Sequence, residues 1–275
     1  MGSRKEPAIG LAAVAVLLAL LAAFGRPAAA EPSGQETAPA ARQPSRGMAV
    51  IEAAARSNKY LFIFFWKEND ENARSMYGVF QSAMGKWAGS ADSLGIQITD
   101  PNEKPIVDRF GVSRAPMPLV VALAPNGAVT KGFPVKFTEG QLRQAFVSPC
   151  TARCMKAMQD RKLVLLCVQN RSTQLNQAAW KGVQDFKADP RFGRATEVVH
   201  LDPSDGAEAT LLKGLQVDPR TPTAVTVLLA PPGGPIAKFT GAVTGDQIVA
   251  KVASAQSGPC AGGKCGPGGC GPKKQ

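Results

Sequence analysis

The stretch that decides the fold is Phe110-Gly111-Val112-Ser113-Arg114-Ala115-Pro116-Met117-Pro118, followed by the apolar run Leu119 to Ala124 and the turn Pro125-Asn126-Gly127. Pro and Gly between two apolar runs supply a turn and separate the strands of a hairpin. A second short strand follows, and Thr138-Glu139-Gly140-Gln141 opens a helix. The same order returns downstream. Thr221-Pro222 leads into Ala224 to Ala230, Pro231-Pro232-Gly233-Gly234 turns, Ile236 to Thr240 reads as a strand, and Thr244-Gly245-Asp246-Gln247 opens a helix. Six pairs sit 106 residues apart: Pro116/Pro222, Ala124/Ala230, Pro125/Pro231, Gly127/Gly233, Thr138/Thr244 and Gln141/Gln247. A constant spacing over six positions marks an internal duplication. Each Thr-x-x-Gln reads as a capping box, in which hydroxyl and amide satisfy free N–H groups at a helix start.

Working outward, the upstream halves also correspond. Tyr60 to Trp66 and Leu163 to Val168 are continuous apolar runs, as expected of strands covered on both faces. Met76, Phe80, Met84 and Trp87 fall close to one helical face, as do Trp180, Val183 and Phe186. Leu94 to Thr99 and Ala195 to Leu201 read as further buried strands. Short helices are expected around Ile106 to Phe110 and Ala207 to Leu215. Each copy is therefore helix, strand, helix, strand, helix, strand, strand, helix, in about 100 residues, enough to bury a core of its own.

That order resembles the thioredoxin fold. The match lies in the Phe110 to Pro116 segment with the strand, Asn-Gly turn, strand and terminal helix after it. It covers most of 48–147 well and most of 158–253 more weakly. The resemblance implies an α/β protein of two tandem thioredoxin-like domains, each a central mixed sheet flanked by helices. It also implies that Pro116 and Pro222 are cis and border an active-site groove. The family's chemistry needs a Cys-x-x-Cys at a helix start, one thiol with lowered pKa and a second to resolve the mixed disulfide. Aligned from Trp66, those positions hold Asp70-Glu71-Asn72-Ala73, and Gln169 to Gln174 in the second copy also lacks cysteine. The family's buried carboxylate in the first strand aligns with Phe64. Dithiol catalysis is thus not expected in either copy. Asp70 and Glu71 read as acidic residues meeting the positive end of a helix dipole, and Met76 and Trp87 as core.

The composition sets further bounds. The 275 residues carry 32 Lys and Arg against 21 Asp and Glu, for a net charge of +11, with 44% hydrophobic residues. That suits a folded protein rather than a disordered one. One His argues against sites built from several histidines, and 6% aromatic content argues against base stacking. The basic excess is spread along the chain with no dense run among aromatics, so no nucleic-acid partner is expected.

Residues 1–30 read as a signal peptide: Arg4 and Lys5, an apolar run from Ile9 to Phe24, a Gly25-Arg26-Pro27 break and three alanines. Sixteen apolar residues are short for a span that needs about 20. Export to a periplasmic or extracellular space is expected, with membrane attachment through residues 9–24 as the alternative. Residues 31–47, rich in Pro, Ala, Ser and Gln, read as a flexible linker. The domains then run over 48–147 and 148–255, followed by a Cys/Gly-rich flexible tail at 256–275.

The six cysteines fall into three groups. Cys167 sits inside an apolar strand and reads as a small core residue. Cys150 and Cys154 share one face of the second copy's opening helix, near a terminus that favours thiolate. They read as a redox pair, half a metal site or partners in structural disulfides, the last preferred. Cys260, Cys265 and Cys270 recur every five residues among Gly and Pro. Mobile thiols of this kind can wrap Cu(I) or Zn(II), but the spacing is a weak match to paired zinc ligands. The preferred reading is a flexible tail whose sulfurs pair with Cys150, Cys154 or each other. No cofactor is expected beyond that candidate Cu or Zn. His200 reads as a structural strand residue. The leading expectation is an exported, non-catalytic module for an unidentified protein or peptide partner. Its rivals are a Cu or Zn carrier using the tail and an unconventional thiol–disulfide oxidoreductase using Cys150 and Cys154.

Overall fold

The structure, a computed structural model, describes residues 45–256. The expected signal peptide, its alternative as a membrane anchor and the tail cysteines lie outside the described residues. Helix α1 (Arg46–Arg56) is followed by β1 (Tyr60–Trp66), α2 (Glu71–Lys86), β2 (Ala91–Gln97), α3 (Lys104–Phe110), β3 (Leu119–Leu123), β4 (Val129–Pro134) and α4 (Glu139–Arg143). The second half repeats this order as α5 (Pro149–Gln159), β5 (Leu163–Val168), α6 (Asn176–Ala188), β6 (Thr196–Leu201), α7 (Ala209–Gly214), β7 (Val225–Ala230), β8 (Gly234–Thr240) and α8 (Gly245–Gln256). The four-stranded mixed sheets are ordered β2-β1-β3-β4 and β6-β5-β7-β8. The chain is thus an α/β protein of two thioredoxin-like domains. None of the described helices is long and apolar enough to cross a membrane.

The duplication extends to the hydrogen-bond register. Phe65 pairs with Leu119 and Val168 with Val225; Tyr60 pairs with Ala91 and Leu163 with Thr196; Leu119 pairs with Pro134 and Val225 with Thr240. Even the register shift recurs, between Ala122 and Leu123 and again between Leu228 and Leu229.

The continuous apolar run of β1 follows from its central place in the sheet. Alternate side chains serve opposite faces: Leu61, Ile63 and Phe65 join the core under α1 and α3, whereas Phe62 and Phe64 join the one under α2 and α4. Each such Phe or Leu contributes about 1.5–3 kcal/mol by leaving water. In the second domain Val164, Leu166 and Val168 face one core, and Leu165 and Cys167 the other.

Both Thr-x-x-Gln boxes form. Thr138 Oγ1 accepts the Gln141 N–H while Gln141 Oε1 accepts the Thr138 N–H, and Thr244 and Gln247 do the same. Helix α1 opens earlier than expected: Ser45 Oγ accepts the Met48 N–H, so residues 45–47 belong to the first domain and not to a linker. The domains are joined by polar contacts. At the junction Tyr60 holds the last residue of the first domain, donating its hydroxyl to the Val147 carbonyl at 2.7 Å and accepting the Val147 N–H at 3.0 Å; two further contacts cross to the second domain. The Gln159 amide brackets Val129, donating to its carbonyl and accepting its N–H, as a strand partner would. Asn126 donates to the Ala152 carbonyl of α5.

One expectation is corrected here. The cis bonds are Met117–Pro118 and Pro231–Pro232, so Pro116 and Pro222 are not cis. The sequence offers two prolines before β3, and the one that directly precedes its first residue is Pro118. In the second domain the residue directly before β7 is Ala224, which cannot supply an X–Pro bond, and Pro222 lies two residues outside it as Pro116 does. The second cis bond falls instead in the β7–β8 turn.

Candidate functional site

Residues 67–70 link β1 to α2 and bring the polypeptide over the segment that leads into β3. Asp70 caps α2, its Oδ1 accepting the Ala73 N–H at 2.7 Å. Gln97, on β2, donates to the Lys67 carbonyl and pins the loop. Between this loop and the β3 approach lies a cavity of about 190 Å³ lined by Trp66, Lys67, Glu68, Asp70, Ala73, Met117 and Pro118. Trp66 lies across the neighbouring strand: a Cβ on Gly95 would stand 3.0 Å from its ring, so the missing side chain makes room for it.

The backbone bordering this cavity is open. The Pro116 carbonyl and the Met117 N–H and carbonyl have no hydrogen-bond partner among the described residues. Met117 is half-buried and Pro116 exposed, so these groups can meet a partner at the surface.

In the second domain the equivalent backbone is already occupied. The Gln174 N–H donates to the Pro222 carbonyl and the Ala224 N–H donates to the Gln174 carbonyl, both at 2.9 Å, forming a parallel bridge between Gln174 and Thr223. The loop that makes the bridge is knitted internally. The Asn170 side chain accepts from the Ser172 and Thr173 N–H groups, and Thr173 donates to the Asn170 carbonyl. Asn170 also donates to Asp202; hydrogen bonds from Ser204 and from Asn170 hold that carboxyl below its ordinary range. The chain thus fills its own second groove. Sequence reading missed this difference, because it depends on where the loop lands.

Cys150 and Cys154 both lie on α5, as expected, but their electrostatics differ from the expectation. Burial pushes the Cys150 thiol up to about 11, and the Glu208 carboxylate adds to the shift. Burial first, then Cys150 and Glu208, push Cys154 to about 12. The helix N-terminus, expected to favour thiolate, is outweighed first by burial and then by the buried carboxylate that already occupies it. Glu208, 2% exposed, accepts the Cys150 N–H at 3.0 Å and the Ser148 hydroxyl. The Cys150 thiol donates to the His200 carbonyl at 3.2 Å. Two thiols held protonated at neutral pH are poor nucleophiles.

Cys167 is buried in β5, with its thiol raised by desolvation to about 12. Cys150, Cys154 and Cys167 form no disulfide among the described residues, and no group of three or more His, Cys, Asp or Glu there is arranged to hold a metal. The candidate metal ligands Cys260, Cys265 and Cys270 lie outside the described residues. The His200 ring sits 4.9 Å from that of Trp180.

A device that sequence reading also missed is repeated in both domains. Glu103 accepts the Gly47 N–H with both carboxylate oxygens at 3.1 Å, as Glu208 caps α5. The available signal was Asp100-x-x-Glu103 and Asp205-x-x-Glu208, the same pair before each short helix.

No protein-family model and no curated protein matches the chain. Among solved structures it is similar to the germline-specific thioredoxin Deadhead of Drosophila melanogaster, with 18% identity over 36% of this chain and 90% of that one and a TM-score of 0.30. It is also similar to thioredoxin O2 of Arabidopsis thaliana in its oxidised state, with 12% identity over 37% of this chain and 84% of that one and a TM-score of 0.31.

Proposed function

We propose that this chain is an exported, non-catalytic binding protein whose first domain takes an extended segment of a partner protein in the groove beside Met117 and Pro118. The observation that carries this reading is the contrast between the two grooves. In the second domain Gln174 pairs with Pro222 and Ala224, and the Thr221 hydroxyl bonds both backbone groups of Thr223, whereas in the first the matching Pro116 carbonyl and both Met117 groups are unpaired. Pro118, the match of Ala224, has no N–H, so a partner segment satisfies these groups by strand-like pairing with Met117 rather than by repeating the Gln174 bridge, and needs no thiol. The raised thiols of Cys150 and Cys154 suit a binding role better than a redox one.

The test is binding of synthetic extended peptides by fluorescence anisotropy, with an insulin-reduction assay on the same protein. The reading expects peptide binding that is lost when the central peptide nitrogen is methylated, and no turnover of insulin disulfides. Turnover at thioredoxin-like rates, or indifference to N-methylation, overturns it.

A further inference from the structure

A second, larger cavity adjoins the groove. It measures about 520 Å³ and shares Trp66 and Ala73 with the smaller one. Its size falls within the range of ligand pockets, roughly 300–1,000 Å³. The lining has two characters. Phe64, Trp66 and Tyr77 form an aromatic wall, Phe64 packing 5.2 Å from Tyr77 edge-on and 5.9 Å from Trp66. Arg74, Asn69 and Gln97 bring polar groups to it.

Arg74 is the only charged residue lining this cavity, and its guanidinium has no ion pair or hydrogen bond among the described residues. Glu71, the acid nearest in sequence, makes no ion pair with it, Asp70 accepts the Ala73 N–H, and Glu68 lies 4.0 Å from Lys67. A free guanidinium presents a planar fork of donors suited to a carboxylate. The aromatic wall suits a flat apolar side chain through offset or edge-on contact. Tyr77 is 38% exposed, a large aromatic surface that an occupant would cover.

We propose that this cavity selects partner segments carrying an aromatic residue beside an acidic one, the ring lying against Phe64, Trp66 and Tyr77 and the carboxylate meeting Arg74. The inference rests on the binding role proposed for the adjoining groove. It names the class of segment that groove receives, acidic-aromatic, from the lone guanidinium beside the aromatic wall.

The experiment uses eight-residue synthetic peptides of alternating Val and Thr with a central Phe-Glu, Phe-Gln or Ala-Glu pair, titrated against the wild-type protein and Arg74→Gln. The expected result is that Phe-Glu binds about tenfold more tightly than either relative, as for a charge-assisted hydrogen bond or a buried ring. In Arg74→Gln the Phe-Glu affinity falls to that of Phe-Gln, whose own affinity is unchanged. Arg74 is exposed on α2, and a circular dichroism melt matching wild type verifies that the variant folds. Tyr77→Ala weakens both Phe peptides and leaves Ala-Glu unchanged. Equal wild-type affinity for Phe-Glu and Phe-Gln, or a preference that survives Arg74→Gln, overturns the inference while leaving groove binding intact. Absence of binding by every peptide overturns both.

Discussion

The Glu208 carboxylate accepts the backbone N–H of Cys150 at 3.0 Å, and Glu103 stands in the same relation to Gly47 in the first domain. Each glutamate comes from the short turn before α3 or α7 and reaches back across the sheet face to the first turn of α1 or α5. A buried charge is tolerated there because it meets the free N–H groups and positive end of a helix dipole. These contacts tie together pieces of each domain 56 and 58 residues apart in sequence.

Removing this carboxylate should therefore cost more than a surface substitution. Glu208→Ala leaves the Cys150 N–H without its acceptor and the Ser148 hydroxyl with Thr151 Oγ1 alone, a loss of about 1–3 kcal/mol. Glu208→Gln retains one acceptor oxygen and should lose less. Urea unfolding of the two variants gives the comparison; equal stability to wild type would contradict the assigned role.

The same glutamate adds to the burial that holds the Cys150 thiol protonated. Glu208→Gln removes a negative charge near the thiol, so the Cys150 pKa should fall from about 11, while burial, the larger cause, keeps it above the ordinary 9.0. The pH profile of iodoacetamide labelling at Cys150, read by peptide mass, measures the change. A profile that moves upward would have the wrong sign.

Stability should be lost on the alkaline side. The folded thiols of Cys154 and Cys167 titrate near 12 against an ordinary 9.0, so the folded state holds their protons more tightly than the unfolded chain. Their contribution is fully present below about pH 9 and is lost as pH rises from there through 12. The slope is at most about 1.4 kcal/mol per pH unit per thiol. Under reducing conditions the urea midpoint should be level between pH 6 and 8 and fall above 9, and Cys167→Ala should reduce that fall.

How much of this was legible in the sequence varies with the physics involved. The hairpin residues Pro125-Asn126-Gly127 and the two Thr-x-x-Gln boxes are local signals, and all formed where expected. The β1 run from Tyr60 to Trp66 announced a central strand because both its faces are covered. The cis bond was misplaced because Pro116 and Pro118 compete two residues apart and only the register of β3 decides between them. Glu103 looked like an ordinary polar residue, since its partner Gly47 is remote in sequence. Cys150 was expected near a thiolate-favouring terminus; the burial that reverses the effect, and the Glu208 carboxylate that adds to it from 58 residues away, arise only in the fold. The Gln174 bridge and the Arg74 cavity exist only once loops are in place.

Gly95 offers a check on the groove that spares the core. A valine there would meet Trp66 at about 3.0 Å or less, so the indole must move. Gly95→Val should cost only about 1–2 kcal/mol, since the site is exposed. It should weaken peptide binding at least tenfold, with a shift in tryptophan emission. Unchanged binding would show that Trp66 does not shape the groove.

The most direct test of the central claim is residue-level hydrogen exchange with and without saturating Phe-Glu peptide. The account expects the Met117 amide to exchange freely in the unbound protein and to become protected on binding, with Gln174 and Ala224 protected throughout by their mutual bridge. Met117 exchange that ignores the peptide, or a response confined to Gln174 and Ala224, would contradict it.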